Sequence, residues 1–402
     1  MKQKTKLKFN LIIILMITLF AIATIPKTLQ EDTYYMIKVG EYISANGMQV
    51  IQERIEPFSW LDGMKYTYPH WLLDIIFYLI YNAFDFLGIY IFVLIIGILT
   101  YMLIYYTNIK VGKNNILSSI ITIASIYLMQ GFITARAQII TYICCILTVL
   151  FIERFLETRK KRYLVGLFLV PILLANCHAA LFPIYFVIYL PYIGEYIISY
   201  FTKEERIRKK IWLKEKFISK LEDRIKKAKS KDKLKIKLEK KQQKITKVKT
   251  KQQEIKKAEK AKQRKIVIKR EENMKWLVII FIICIFTGLL TPLKDIPYTY
   301  MIKSIKGNTM NFISEHQAVD LIHAIPTLVI MLITVALLFS NKIKIRLQDL
   351  FMLLGMTILA LISYKQFPIF LICTMTIINK LSIQVGSMSS FWTLFLRIFL
   401  YF

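Results

Sequence analysis

Cysteine is scarce in this chain, and its placement excludes more than its number does. Five cysteines occur in 402 residues: Cys144, Cys145, Cys177, Cys284 and Cys373. All lie in or beside apolar runs and no pair has zinc-ligand spacing, which argues against a disulfide scaffold or a zinc module. As small, buried hydrophobes they fill space. Charge is missing from long stretches: 11–24, 91–106 and 276–290 carry none. Runs that approach or exceed the width of a bilayer exclude an ordinary soluble domain. Hydrocarbon offers no partner to a backbone amide, so these runs predict helices. Proline and glycine are absent from 203–275, a segment that therefore lacks the usual turn-formers.

What is present is apolar and basic. Hydrophobic residues make up 56% of the chain, and the net charge is +30. The charge is concentrated: 31 of the 56 basic residues and 11 of the 26 acidic ones lie in 203–275, so two thirds of the excess belongs to that segment. The expected architecture is all-α, a polytopic transmembrane bundle of about ten spans interrupted by a basic cytoplasmic helical hairpin. Three parts follow: a membrane bundle over 1–202 that includes an outer loop at 26–88, the insertion at 203–275, and further membrane helices over 276–402.

Apolar segments fall at 9–25, 71–88, 89–106, 116–131, 138–156, 162–177, 179–200, 276–291, 326–340, 348–363 and 366–380. Lys2, Lys4, Lys6 and Lys8 precede the first of these, as in a signal peptide. Pro26-Lys27-Thr28 is a poor cleavage site, however, and a retained first helix is expected. Basic loops face the cytoplasm, which puts the N-terminus inside and 26–70 outside. If both 71–88 and 89–106 crossed, Lys110, Lys113, the cluster from Arg159 to Arg162 and the whole insertion would face outward. A helix at 71–88 lying on the outer surface reverses all of them. That segment carries Asp74 and Asp85, which are costly at mid-bilayer, among aromatics that favour the interface. An ordinary span with Asp74 turned into the bundle is the alternative. The chain is expected to cross its membrane several times, with the N-terminus in the cytoplasm.

The insertion has helix-forming composition and i,i+4 pairs such as Glu222 with Lys226. Leu234, Leu238, Ile245, Val248 and Ile255 follow a patchy coiled-coil spacing, and 230–233 is the expected break. Anionic lipid headgroups would be its natural contact, at about 1 kcal/mol per basic residue close to the surface. A protein partner gripping 203–275 and a plain solvated helix pair are the other readings. Nucleic acid is not expected, because past Phe217 no aromatic residue interleaves with the basic ones to stack bases.

Chemistry is expected on the outer side, where this topology collects all four histidines. Glu31-Asp32 follows the first span, close to lipid yet wet, where a carboxylate can take the proton of an acceptor hydroxyl. Arg136, Gln138, His178 and Lys365 are suitable donors to a phosphate. Each also has a plainer role: Asp32 as a helix cap, Arg136 and Gln138 as interfacial anchors, Asn176 and His178 as an inter-helix pair. Glu315 and His316 are adjacent and could contribute to a metal site, but two neighbours do not make one.

Six motifs occur in order: Asp32 with Gly40; Glu56-Pro57-Phe58-Ser59; Tyr68-Pro69-His70-Trp71-Leu72; Arg136-Ala137-Gln138; Ala175-Asn176-Cys177-His178-Ala179; and Thr291-Pro292-Leu293-Lys294 with Glu315-His316. With the acidic residue after the first helix and the basic final outer turn, this order resembles the GT-C superfamily. These are polytopic glycosyltransferases that use polyprenyl-phosphate sugars, among them protein O-mannosyltransferases and aminoarabinose transferases. It most resembles a group of bacterial membrane proteins of that kind with the pattern Asp…Gly, Asp-Pro-Phe-Ser, Arg-Pro-Gln and Asn-x-His. The departures are Glu56 for Asp, Ala137 for Pro and His316 for Trp. The resemblance implies a GT-C-like fold, a polyprenyl-phosphate-linked sugar as donor and Asp32 as catalytic base. It implies substrate-binding roles for His70, Arg136, Gln138, Asn176, His178, Glu315, His316 and Lys365. No cofactor is implied beyond an open place for a divalent cation. The competing expectation, from another class, is a non-enzymatic envelope protein: a glycolipid transporter or an assembly partner.

Overall fold

The computed structural model describes residues 3–202, 265–306, 319–339 and 343–385, with short stretches between 211 and 250. Glu315, His316 and the expected coiled-coil seam and break of the insertion lie outside the described residues. The protein is helical, with a single pair of two-residue parallel strands among the described residues, β1 (Ile266–Val267) and β2 (Ile345–Arg346).

Thirteen helices carry the argument. The first eight are α1 (Gln3–Thr24), α2 (Glu31–Asn46), α3 (Gln49–Glu53), α4 (Trp71–Gly112), α5 (Asn115–Met129), α6 (Gln138–Thr158), α7 (Arg162–Cys177) and α8 (Phe182–Ser199). They are followed by α9 (Met274–Ile285), α10 (Ile296–Lys306), α11 (Leu321–Phe339), α12 (Leu347–Ile362) and α13 (Phe367–Val385). Among the described residues five helical stretches are long and apolar enough to cross a membrane: 71–112, 115–132, 138–158, 179–199 and 364–384. Five shorter apolar helices accompany them, at 8–24, 162–177, 274–289, 322–338 and 347–362. This is a helical membrane protein.

α4 is two helices end to end. Asp85 breaks it, with φ 56° and ψ −158°, a left-handed backbone that α-helix cannot absorb. The break falls three residues before the expected junction at 88/89. Residues 71–84 pack with α2, where Asp74 is fully buried. Asp74 is thus turned into the bundle, as in the alternative reading of this stretch, while Asp85 is exposed.

The chain forms two compact units: Met1–Pro191 with Glu272–Ile343 and Asp349–Phe402, and Tyr192–Glu271 with Lys344–Gln348. In the first, α4 touches α1, α2, α5, α6, α7 and α13. Pro171, inside α7, has no N–H and leaves the Leu167 carbonyl without its helical partner. Tyr185 Oη donates to that carbonyl at 2.6 Å, and Cys284 Sγ lies 3.6 Å from it, so α8 and α9 are bound to α7 at the gap. Asn379 of α13 donates to the Asn108 carbonyl of α4 at 2.7 Å, and Ser118 of α5 donates to it at 2.9 Å. Lys380 lies between Glu153 (2.8 Å) and Asp349 (3.1 Å), joining α13, α6 and α12. In the second unit, buried Glu195 accepts from the Lys269 amide at 2.8 Å and pairs with Arg346 at 3.0 Å, beside the β1–β2 pairing.

α2 was not expected: its residues fall within the predicted outer loop. Its buried positions, Thr33, Met36, Ile37, Val39, Gly40 and Ile43, recur at three- and four-residue intervals, and Glu31 and Asp32 complement the positive end of the helix dipole. Val39 and Ile43 join Val50, Ile51, Tyr68, Ala179, Leu293 and Ile296 in one apolar core that ties α2, α3, α10 and three connecting segments together.

Candidate functional site

Asp32 sits in the first turn of α2. Its Oδ2 is 2.9 Å from Arg136 Nε, on the turn leading into α6. The carboxylate is more than half exposed, whereas the arginine is largely covered. The approach is fixed one residue on, where Thr33 Oγ1 donates to the Ala135 carbonyl at 2.8 Å. Two residues more than a hundred positions apart are thus held together by a hydrogen bond beside them.

His70, immediately before α4, and His178, immediately after α7, face each other with ring centroids 5.4 Å apart. The turns carrying them are joined by a main-chain bond from Ala179 N–H to the Pro69 carbonyl at 2.9 Å. His178 Nδ1 shares a 2.6 Å hydrogen bond with Thr141 Oγ1 of α6, one turn beyond Gln138. Burial lowers the His70 pKa to about 4, partly opposed by the negative charge of Asp32. Burial, with the nearby His70 and Lys365, pushes His178 well below the usual histidine range. Both rings are therefore neutral at pH 7.

Asp74, one turn into α4, is fully buried, and neither of its carboxylate oxygens meets a hydrogen-bond donor among the described residues. Its Oδ1 is 3.9 Å from His70 Nδ1. Gly40 explains how the site is closed on this side. A Cβ at Gly40 would collide with the carbonyl oxygen of Asp74 and come within 2.8 Å of Tyr78 Cβ. The Asp…Gly spacing thus pairs a carboxylate at the mouth with a seat for α4 two turns below.

Of the expected residues, Asp32, His70, Arg136 and His178 come together, with Lys365 close enough for its charge to act on His178. Lys365 lies in the short turn Tyr364–Gln366, where the Tyr364 ring meets His323 at 4.8 Å. Gln138, partly buried, opens α6 two residues after Arg136. Asn176 donates from Nδ2 to the carbonyls of Ile172 (2.8 Å) and Leu290 (3.1 Å), binding the end of α7 to the turn after α9. Its reach to Leu290, not to His178, is the inter-helix bond that the structure displays. Thr33 and Thr141 carried no expectation from the sequence, and Asp74 none as a site residue. Threonine on an apolar helix gives no signal, and Asp74 read as an interfacial carboxylate.

Glu56 accepts from Tyr35 Oη at 2.5 Å and from the Phe58 amide at 3.1 Å, so the Glu-Pro-Phe-Ser motif ties its loop to α2. Arg54 bridges to Asp295 at 2.5 Å and to the Leu293 carbonyl at 3.1 Å, which pins α3 to the start of α10. That arginine, seconded by Thr299, holds the Asp295 carboxyl well below the usual range. Among the described residues no group of three His, Cys, Asp or Glu side chains is arranged to hold a metal ion.

Set against known proteins, the chain matches no family model, and no curated protein is similar to it.

Proposed function

We propose that this membrane protein is a glycosyltransferase of GT-C type. It would take a sugar from a polyprenyl-phosphate carrier on the outer face of a bacterial cytoplasmic membrane and pass it to a cell-envelope acceptor. In this reading the N-terminus is cytoplasmic and the ten apolar stretches are the spans. The observation that carries it is one arrangement: a half-exposed carboxylate, Asp32, held 2.9 Å from Arg136, beside two neutral histidines and within the field of Lys365. A base next to cationic and N–H donors is what proton removal coupled to phosphate departure requires.

The step runs as follows. Asp32 takes the proton of the acceptor hydroxyl as that oxygen bonds to the anomeric carbon. The bond from that carbon to the phosphate oxygen breaks on the opposite face, so the configuration inverts. The electron pair leaves on the phosphate, where Arg136 and Lys365 supply positive charge and His178 an N–H. Arg136 orients the carboxylate until the phosphate draws on its remaining donors. Anionic lipid headgroups are the proposed contact of the basic insertion.

Asp32→Asn tests the assignment. Membranes carrying the variant should hold as much of the protein as wild type and should transfer no sugar from polyprenyl-phosphate donors. Undiminished transfer would discard Asp32 as the base.

A further inference from the structure

Beside the candidate site, the outward side of α2 carries an open groove of about 670 Å³. Its walls are aromatic: Tyr34, Tyr35 and Tyr42 from α2, and Phe58 from the loop that Glu56 ties down. Tyr35 meets Phe58 nearly edge-on at 5.9 Å and Tyr66 at 5.6 Å, and Tyr42 meets Phe58 at 6.1 Å. In an edge-to-face pair one ring uses an edge and the other a face, which leaves ring faces available for a ligand. Among the described residues the only charged ones lining the groove are Lys38 and Glu41, joined at 2.6 Å. Their charges cancel, yet between them they present N–H donors and a carboxylate acceptor side by side.

We infer that this groove binds a neutral saccharide, the acceptor chain, lying along α2 with the end to be extended at Asp32. The three classes of occupant separate on chemistry. A lipid tail has no use for an exposed ion pair, and an anionic glycan would need cations that are not already neutralised. A pyranose ring has an apolar face of C–H groups that suits the electron-rich face of tyrosine or phenylalanine. Its equatorial hydroxyls suit an adjacent donor and acceptor. The geometry also fixes direction and length. At 1.5 Å per residue, the stretch of α2 from Tyr34 to Asn46 spans about 18 Å, room for about three or four hexose units. Its near end, Tyr34, is two residues along α2 from Asp32.

The word acceptor rests on the glycosyl-transfer reading; the saccharide site does not. The experiment therefore measures binding without turnover. Full-length protein in nanodiscs of uncharged lipid is mixed with cellotetraose, maltotetraose or chitotetraose, and with tetragalacturonate as the acidic counterpart. Saturation transfer from protein to sugar protons is recorded by NMR. At least one neutral tetrasaccharide should give transfer that falls tenfold or more in Tyr42→Ala and in Phe58→Ala. It should persist in Tyr42→Phe, which keeps the ring, and in Gly355→Ala, which lies outside the groove. No transfer to any neutral tetrasaccharide, a signal indifferent to Tyr42→Ala and Phe58→Ala, or equal transfer to tetragalacturonate would each overturn the inference. Binding with no detectable glycosyl transfer would retain the groove and count against the proposed reaction alone.

Discussion

Gly40→Ala is the sharpest test of how the site is held. The new methyl group would meet two things on α4: the carbonyl oxygen of Asp74 and, at 2.8 Å, Tyr78 Cβ. Carbon atoms rest at about 3.5–4.0 Å, so α2 must retreat by roughly 1 Å. Neither obstacle can swing aside, because one is main chain and the other is the root of a side chain. Overpacking of this kind costs about 1–3 kcal/mol. The retreat carries Asp32 with it on the same helix, away from His70 and the turn of Arg136. A displacement of about 1 Å in a reacting group can cost roughly 100-fold in rate. The five buried, unpaired cysteines provide the stability assay, since a thiol-reactive dye reports them only as the bundle opens. Gly40→Ala should melt several degrees lower and transfer sugar about a hundredfold more slowly. Gly355→Ala is the control: a Cβ there meets nothing within 4 Å, and alanine should raise helix stability by about 0.8–1.0 kcal/mol. A Gly40→Ala protein that melted with wild type would refute the close approach of α2 and α4.

Other outcomes follow from the same structure. Lys380→Met strips two carboxylates of their shared cation and should cost about 3–5 kcal/mol, whereas neutralising Glu153 and Asp349 in the same protein should restore most of it; dye-monitored melting distinguishes the two. Stability should also fall in acid because of His70. Its folded pKa of about 4 lies below the unfolded value near 6.5, so its contribution is complete above pH 6.5 and is lost as pH drops through 4. His70 supplies at most about 1.4 kcal/mol per pH unit of the slope in that window, with His178 adding to it in the same direction, and His70→Gln should reduce the slope by its share in a pH series of melts. Asp74→Leu replaces a buried carboxyl group whose oxygens meet no hydrogen-bond donor among the described residues, so it should raise the melting temperature. A clear drop in melting temperature would refute that reading of the buried carboxyl.

The membrane helices were legible because their signal is local. A run such as 138–156, uncharged until Glu153 near its C-terminal end, can be little else, and the helix found there, Gln138–Thr158, departs from expectation by two residues. The candidate site was legible as a set of residue types and an order, since Asp32, Arg136, His70 and His178 were all singled out before any distance was known. What brings them together was not. The bond from Thr33 to Ala135 links residues 102 positions apart, a relation that periodicity within one helix cannot express. α2 escaped because Thr33, Gly40 and Ser44 dilute its apolar face. The helix forms because Gly40 lets it approach α4 closely, a property of the partner as much as of α2. Asp74 was legible only as two alternatives, at the interface or turned into the bundle, and its burial against α2 decides for the second.

The main-chain bond between Ala179 and Pro69 has a consequence for anyone altering this protein. It fixes the spacing of the two histidine-bearing turns through peptide groups, so it survives replacement of either imidazole. Residues 70 and 178 can be exchanged for other chemistry while their distance stays as it was. Proline at position 179 is the substitution that would remove the donor of that bond, leaving both imidazoles in the chain and only side-chain packing to space them.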